Sequence, residues 1–211
     1  MIWLTWRQFR AQAIVAGAAL VAFAIVLTAT GPHLASLFDS SGLATCRAAN
    51  CSTDAGNFIN QVQGSATELI FYAGVFLLYA VPALIGIFWG APLVTRELES
   101  GTFRLAWNQS VTRTRWIAIK LGLLGLGVVV VAGLLSLMTT WWASPLYQAA
   151  WDAGGQDQLS ITRFAPPLFG ASGVAPVGYA VFAFSLGVTV GVLVRRMLPA
   201  MAITLALFAV I

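Results

Sequence analysis

Four uninterrupted runs of uncharged, mostly apolar residues dominate this sequence, at positions 13–30, 69–94, 121–142 and 174–194. A run of about 18 or more such residues is long enough to cross roughly 30 Å of hydrocarbon as a helix. Inside that medium every backbone N–H and C=O must be satisfied within the protein, which for a single segment leaves the α-helix. The runs therefore predict four membrane-spanning helices. A fifth run opens after Arg195-Arg196 and continues to Ile211. At about 1.5 Å per residue it reaches only about 22 Å, so the sequence is expected to stop within a helix whose remainder lies beyond Ile211.

The composition agrees: 59% of the 211 residues are hydrophobic and 9% charged, well away from the balance of an ordinary soluble domain. A cleaved leader at the amino terminus fits poorly. The stretch "MIWLTWRQFRAQ" places apolar and aromatic residues ahead of the charges, and "TATGPH" makes a poor cleavage site. Within residues 1–12, Ile2, Trp3, Trp6 and Phe9 recur at helical spacing, with Arg7, Gln8 and Arg10 on the other side. That is the pattern of an interfacial elbow helix leading into the first span.

Basic residues set orientation, because segments rich in Lys and Arg are retained on the cytoplasmic side. With the amino terminus inside, Arg7, Arg10, Arg96, Arg104, Arg113, Arg115, Lys120, Arg195 and Arg196 fall on the cytoplasmic side, and only Arg47 and Arg163 outside. The expectation is a multi-pass protein of the plasma membrane with a cytoplasmic amino terminus. The net charge of +4 is then accounted for by topology and anionic lipid head groups, without a nucleic-acid partner. Two outward connections, 31–68 and 143–173, are rich in Gly, Ser, Asn, Gln and Pro. The first carries Cys46 and Cys51, which would lie where a disulfide persists. Metal binding by these two and the distant His33 is disfavoured, since structural zinc takes four closely arranged ligands.

Glycines recur inside the spans, and Gly187 and Gly191 form a G-x-x-x-G match. Such a match permits close helix packing and does not name the partner helix. Pro82 removes a backbone donor within the second span and is expected to kink it.

Several kinds of chemistry lack their residues. The spans carry no Asp, Glu, Lys, Arg or His in their central portions, whereas ion-driven carriers use buried ionisable groups or interrupted helices. There is no HExxH and no serine with a plausible His and acid partner at membrane depth. The single lysine, Lys120, follows Ile119 and not a Gly-rich phosphate loop, so the chain is expected to be no enzyme and to bind no cofactor itself. If it moves a substrate uphill, a partner supplies the energy.

The charge is concentrated in one connection, "RELESGTFRLAWNQSVTRTRW", residues 96–116, between the second and third spans. Gly101 can end a helix, Thr102 can cap the next, and 103–109 makes about two turns before a second break and a cap at Thr112. A short helix across the cytoplasmic mouth is expected, flanked by Glu97 and Glu99 and by Arg113, Arg115 and Lys120. The acids matter because topology needs positive charge only.

"RELESGT" followed by "SVTRTRWIAIKLG" resembles the permease subunits of type-2 ABC exporters. Their loop between spans two and three runs roughly R-E-x-E-x-G-T, then a helix, then a P-V-S-R-like segment and a lysine. Arg96, Glu97, Glu99, Gly101 and Thr102 match the first part and Val111, Arg113 and Lys120 the second, while Ser110 stands where proline is common. The resemblance implies an all-α polytopic membrane bundle forming a single permease domain over 1–211. It would have an elbow at 1–12 (Trp3, Trp6, Arg7, Phe9, Arg10) and five visible spans at 13–30, 69–94, 117–142, 174–194 and 197–211, of six in the full chain. It also implies a coupling loop at 96–116 (Arg96, Glu97, Glu99, Gly101, Thr102, Arg104, Arg113). Implied partners are cytoplasmic ATPase subunits carrying ATP and magnesium, a second permease copy, identical or related, and membrane lipids. The alternative is a non-transporting membrane anchor, sensor or assembly factor. Apolar walls with scattered Ser, Thr, Tyr and Trp suit an amphipathic drug, a lipid or a glycan alike.

Overall fold

The computed structural model describes residues 2–43, 51–100, 113–152 and 173–210. The architecture is a polytopic membrane helical bundle, and no strand occurs among the described residues. The helices are α1 (Ile2–Ser40), α2 (Cys51–Val62), α3 (Ala66–Ile85), a π-helical turn (Gly86–Gly90), α4 (Pro92–Ser100), α5 (Arg113–Trp142), α6 (Ser144–Asp152), α7 (Ala175–Val194) and α8 (Met197–Val210). Among the described residues, four stretches are long and apolar enough to cross a membrane: Phe9–Ser40, Ala66–Arg96, Thr114–Trp142 and Ala175–Val194. Helix α8 is a shorter apolar helix.

The sequence expects an elbow at 1–12 set off from a span starting at 13. The two are instead parts of one 39-residue helix. No proline occurs before Pro32, and Gly17 by itself is a modest penalty in a helix interior, so nothing local ends the helix at that point. Pro32 lies inside α1, which continues to Ser40 and is followed by Gly42 at φ +78°.

The second span is continuous from Ala66 to Ser100 save for the π turn and Ala91. Pro82 is buried inside α3, and the departure from α geometry comes four residues later, where Ala91 N–H donates to the Gly86 carbonyl at 2.9 Å. The start of α3 is capped: Gly64 N–H donates to Glu68 Oε2 at 2.6 Å. Ser65 and Glu68 stand in the S-x-x-E spacing of a capping box, with the acid reaching one residue further back than usual.

The chain forms two compact units. One comprises residues 19–78 and 134–175. Its core joins Leu27 and Leu34 of α1, Phe58, Ile59 and Val62 of α2, Phe71 of α3, Trp142 of α5, and Leu146 and Tyr147 of α6. Helices α2 and α6 pack together here, within connections that the sequence reads as loops. In α2 the residues Ala55, Phe58, Ile59 and Val62 repeat at i, i+3, i+4, i+7 and are all buried, while Asn57, Asn60 and Gln61 are exposed. The rings of Phe38 and Phe58 meet edge to face at 5.7 Å, and those of Phe71 and Tyr147 at 6.3 Å. Trp142 Nε1 donates to Thr30 Oγ1 at 3.1 Å, giving the buried indole its polar partner.

The other unit comprises residues 1–18, 79–133 and 176–211. Ile85, Leu93, Val94, Leu124, Val128, Ala132, Ala180 and Phe184 form its larger core cluster, with Phe9 and Trp89 packed alongside. A smaller cluster of Ala91, Val190 and Ala200 joins the π turn to α7 and α8. The connection from α7 to α8 is only Arg195 and Arg196, both exposed, with Arg195 at φ +56°. An L-residue with a side chain rarely takes that conformation, and it allows the chain to leave one helix and begin the next within two residues.

Candidate functional site

The second unit holds the expected site at the carboxyl end of the second span, and glycine determines how that end is held. Gly86 and Gly90 face Ala183, Phe184 and Gly187 of α7 so closely that side chains would not fit. A Cβ built on Gly86 would lie 2.8 Å from the Ala183 carbonyl oxygen, and one on Gly90 would lie 2.7 Å from that of Phe184. The reverse holds as well, with a Cβ on Gly187 overlapping the Gly86 carbonyl and one on Gly191 lying 2.7 Å from that of Ala91. Two G-x-x-x-G stretches, Gly86 to Gly90 and Gly187 to Gly191, thus meet backbone to backbone. The first was legible as "GIFWG" but carried no signal of its partner.

Helix α4 continues from this seam. Leu93, Val94 and Thr95 are buried, Leu98 is half-buried, and Arg96 and Glu99 are exposed. Thr95 has no exposed surface, and its hydroxyl donates to the Ala91 carbonyl at 2.7 Å, so this polar group on the inner side is satisfied locally. Helix α8 packs against both the π turn and α4. The result is a short helix fixed along its apolar side to α7 and α8, with charge on its open side.

Among the expected coupling residues, Arg96 and Glu99 lie on that open side, one turn apart. Glu97 lies within α4 and Arg113 opens α5, but their side chains are outside the described residues, as are Gly101, Thr102, Arg104 and the expected short helix. Of the elbow residues, Arg7 and Arg10 are exposed and Phe9 packs on the core of this unit, while the side chains of Trp3 and Trp6 are outside the described residues. Cys46 and the side chain of Cys51 also lie outside them. Near the start of α5, Lys120 is 5% exposed, with Nζ 4.6 Å from the ring centroid of Trp116 one turn earlier. The ring face supplies part of the solvation that burial removes from the ammonium.

Gln12 is a residue that the sequence reading missed. Its Nε2 donates to the Phe88 carbonyl at 3.1 Å. In an α-helix the donor for that carbonyl would be the N–H of residue 92, which is a proline and has none. The Phe-x-x-x-Pro spacing was the available signal, though it could not name Gln12 as the substitute donor.

The family model described as ABC-2 membrane transporter related matches residues 17–211. No curated protein and no solved structure matches the chain. The matched region includes the first long apolar helix from Gly17 onward, the other three whole, the π turn with its glycine seam, and the charged connection after α4. The chain therefore belongs to the ABC-2 membrane transporter related family, and is a non-catalytic, multi-pass membrane subunit of an ABC-type transporter, of a kind that works with a cytoplasmic ABC ATPase.

Proposed function

We propose that the chain is one half of the membrane pathway of an ATP-driven exporter, paired with a second permease copy in the plasma membrane and oriented with its amino terminus in the cytoplasm. In this reading ATP and magnesium reside on two cytoplasmic ATPase subunits, which press on the loop at 96–116. Arg96, Glu97, Glu99, Gly101, Thr102, Arg104 and Arg113 form or shape the contact. Trp3, Trp6, Arg7, Phe9 and Arg10 hold the start of α1 at the interface, and Cys46 and Cys51 pair outside. The cargo is an amphipathic drug, a lipid or a glycan.

The observation that carries this reading is the two-sided character of α4. Its apolar side is locked to α7 and α8 through the glycine seam and buried Thr95, and its exposed side presents Arg96 and Glu99. A force on the charged loop would pass into spans whose backbones are in contact, because packed helices shift as bodies and do not deform continuously. Purifying the full-length protein in mild detergent should bring down a soluble ABC ATPase. The Glu97→Ala, Glu99→Ala double variant should insert normally, since acids contribute little to topology, and should lose most of that association or of ATP-dependent export. Full ATPase binding and full export in the double variant would overturn the coupling role.

A further inference from the structure

Among the described residues, every exposed arginine or lysine belongs to the unit that holds the glycine seam. They are Arg7 and Arg10 of α1, Arg96 of α4, Arg115 of α5, and Arg195 and Arg196 between α7 and α8. All six are arginine, while Lys120 is buried against Trp116. Opposite these six, the exposed acid described in this unit is Glu99.

The six share one end of the unit. Successive spans alternate in direction, which places the starts of α1 and α5 at the same end as the finish of α4 and of α7. Gln12 meets Phe88, and from that level Arg10 lies about 3 Å, Arg7 about 8 Å and Arg96 about 12 Å toward this end. Gly191 lies against Ala91 and Thr95, and Arg195 follows about 6 Å further on. Long side chains that keep their charge in the polar layer can bring guanidinium groups from such a spread into one head-group region, which is about 5–8 Å thick on each side of a bilayer.

The link between α7 and α8 holds its two arginines firmly. Arg195 N–H donates to the Gly191 carbonyl at 3.1 Å, and the Arg196 carbonyl accepts from Ala200 N–H at 3.1 Å, so both ends of the link are tied to helix. Membrane topology would be served equally by lysine. A guanidinium adds a planar fork of donors that fits two oxygens of a phosphate at once.

We propose that this band of arginines binds anionic phospholipids of its own leaflet in preference to zwitterionic ones, with Arg195 and Arg196 as its most firmly placed members. Head-group phosphates accept from the guanidinium groups. A choline head group carries a cation beside its phosphate and is repelled by the same band, whereas a glycerol head group is not. The inference rests on the multi-pass membrane reading and is separate from ATPase coupling, because Arg195 and Arg196 lie outside the 96–116 loop.

The test is titration of the purified full chain in detergent with dioleoyl phosphatidylglycerol or dioleoyl phosphatidylcholine, with bound lipid counted by native mass spectrometry. The glycerol lipid should bind about tenfold more tightly, and raising the salt from about 0.1 to about 0.5 M should reduce that preference. The Arg195→Gln, Arg196→Gln double variant should lower the preference by about fivefold or more, since two charges leave the band and the length of side chain is nearly kept. Equal affinity for the two lipids, a preference indifferent to salt, or an undiminished preference in the double variant would each overturn the proposal. Displacement of the lipid by free glycerol 3-phosphate at equal concentration would assign the band to a soluble anion, and would overturn it as well. The lipid comparison and the salt series use only the unmodified chain, and so decide the matter even where the variant fails to fold.

Discussion

Gly187 lies directly against the carbonyl of Gly86, so that a methyl group on Gly187 would occupy the space of that oxygen. The obstruction is backbone and not the end of a flexible side chain, and cannot rotate away. The same seam sets the position of the π turn and, through Ala91 and Thr95, of the helix leading into the charged loop.

Gly187→Ala is therefore expected to destabilise the protein by about 1–3 kcal/mol, the usual cost of overfilling a packed core. Gly178 lies on the same helix with open space around it, and Gly178→Ala should be near neutral. Unfolding of the purified protein in increasing dodecyl sulfate would compare the two. Equal behaviour would mean that the seam is not a close contact in the membrane.

Phe58 is fully buried at the centre of the α2 and α6 pair. Its replacement by alanine should cost about 3–5 kcal/mol. Asn57, next in sequence and exposed, should tolerate alanine within about 0.5 kcal/mol. Amide hydrogen exchange across residues 51–62 and 144–152 would read the effect locally, with faster exchange in both helices for Phe58→Ala. An effect confined to α2 would argue against their mutual packing.

The distribution of basic residues predicts a cytoplasmic amino terminus. Single cysteines at Ser110 and Ser160, in a background without Cys46 and Cys51, should react differently with an impermeant thiol reagent on intact cells. Ser160→Cys should label and Ser110→Cys should not. The reverse pattern would overturn the orientation and remove the 96–116 loop from the cytoplasm.

The spans were legible because length and charge alone decide whether a segment can exist in hydrocarbon. The runs opening near residues 69, 121 and 174 lie in the helices Ala66–Arg96, Thr114–Trp142 and Ala175–Val194. Helix α2 was legible in principle, since Ala55, Phe58, Ile59 and Val62 carry the helical repeat. It was obscured by a polar composition that resembles loop, and only the burial of that face against α6 separates the two readings.

The sequence by itself determined that this chain spans a membrane as helices, and that its charge collects between the second and third of them. Both follow from solvation, which acts residue by residue. Only the tertiary structure decided that Gly187 and Gly191 serve a contact within the chain, that the backbone irregularity of the second span falls at Gly86–Gly90, and that Gln12 answers the carbonyl left open by Pro92. A glycine offers a flat surface and a proline leaves an acceptor without its usual donor, but neither encodes what approaches it. The partner is chosen by the packing of segments about 100 residues apart for the glycines and 76 apart for Gln12 and Phe88, beyond the reach of any local pattern.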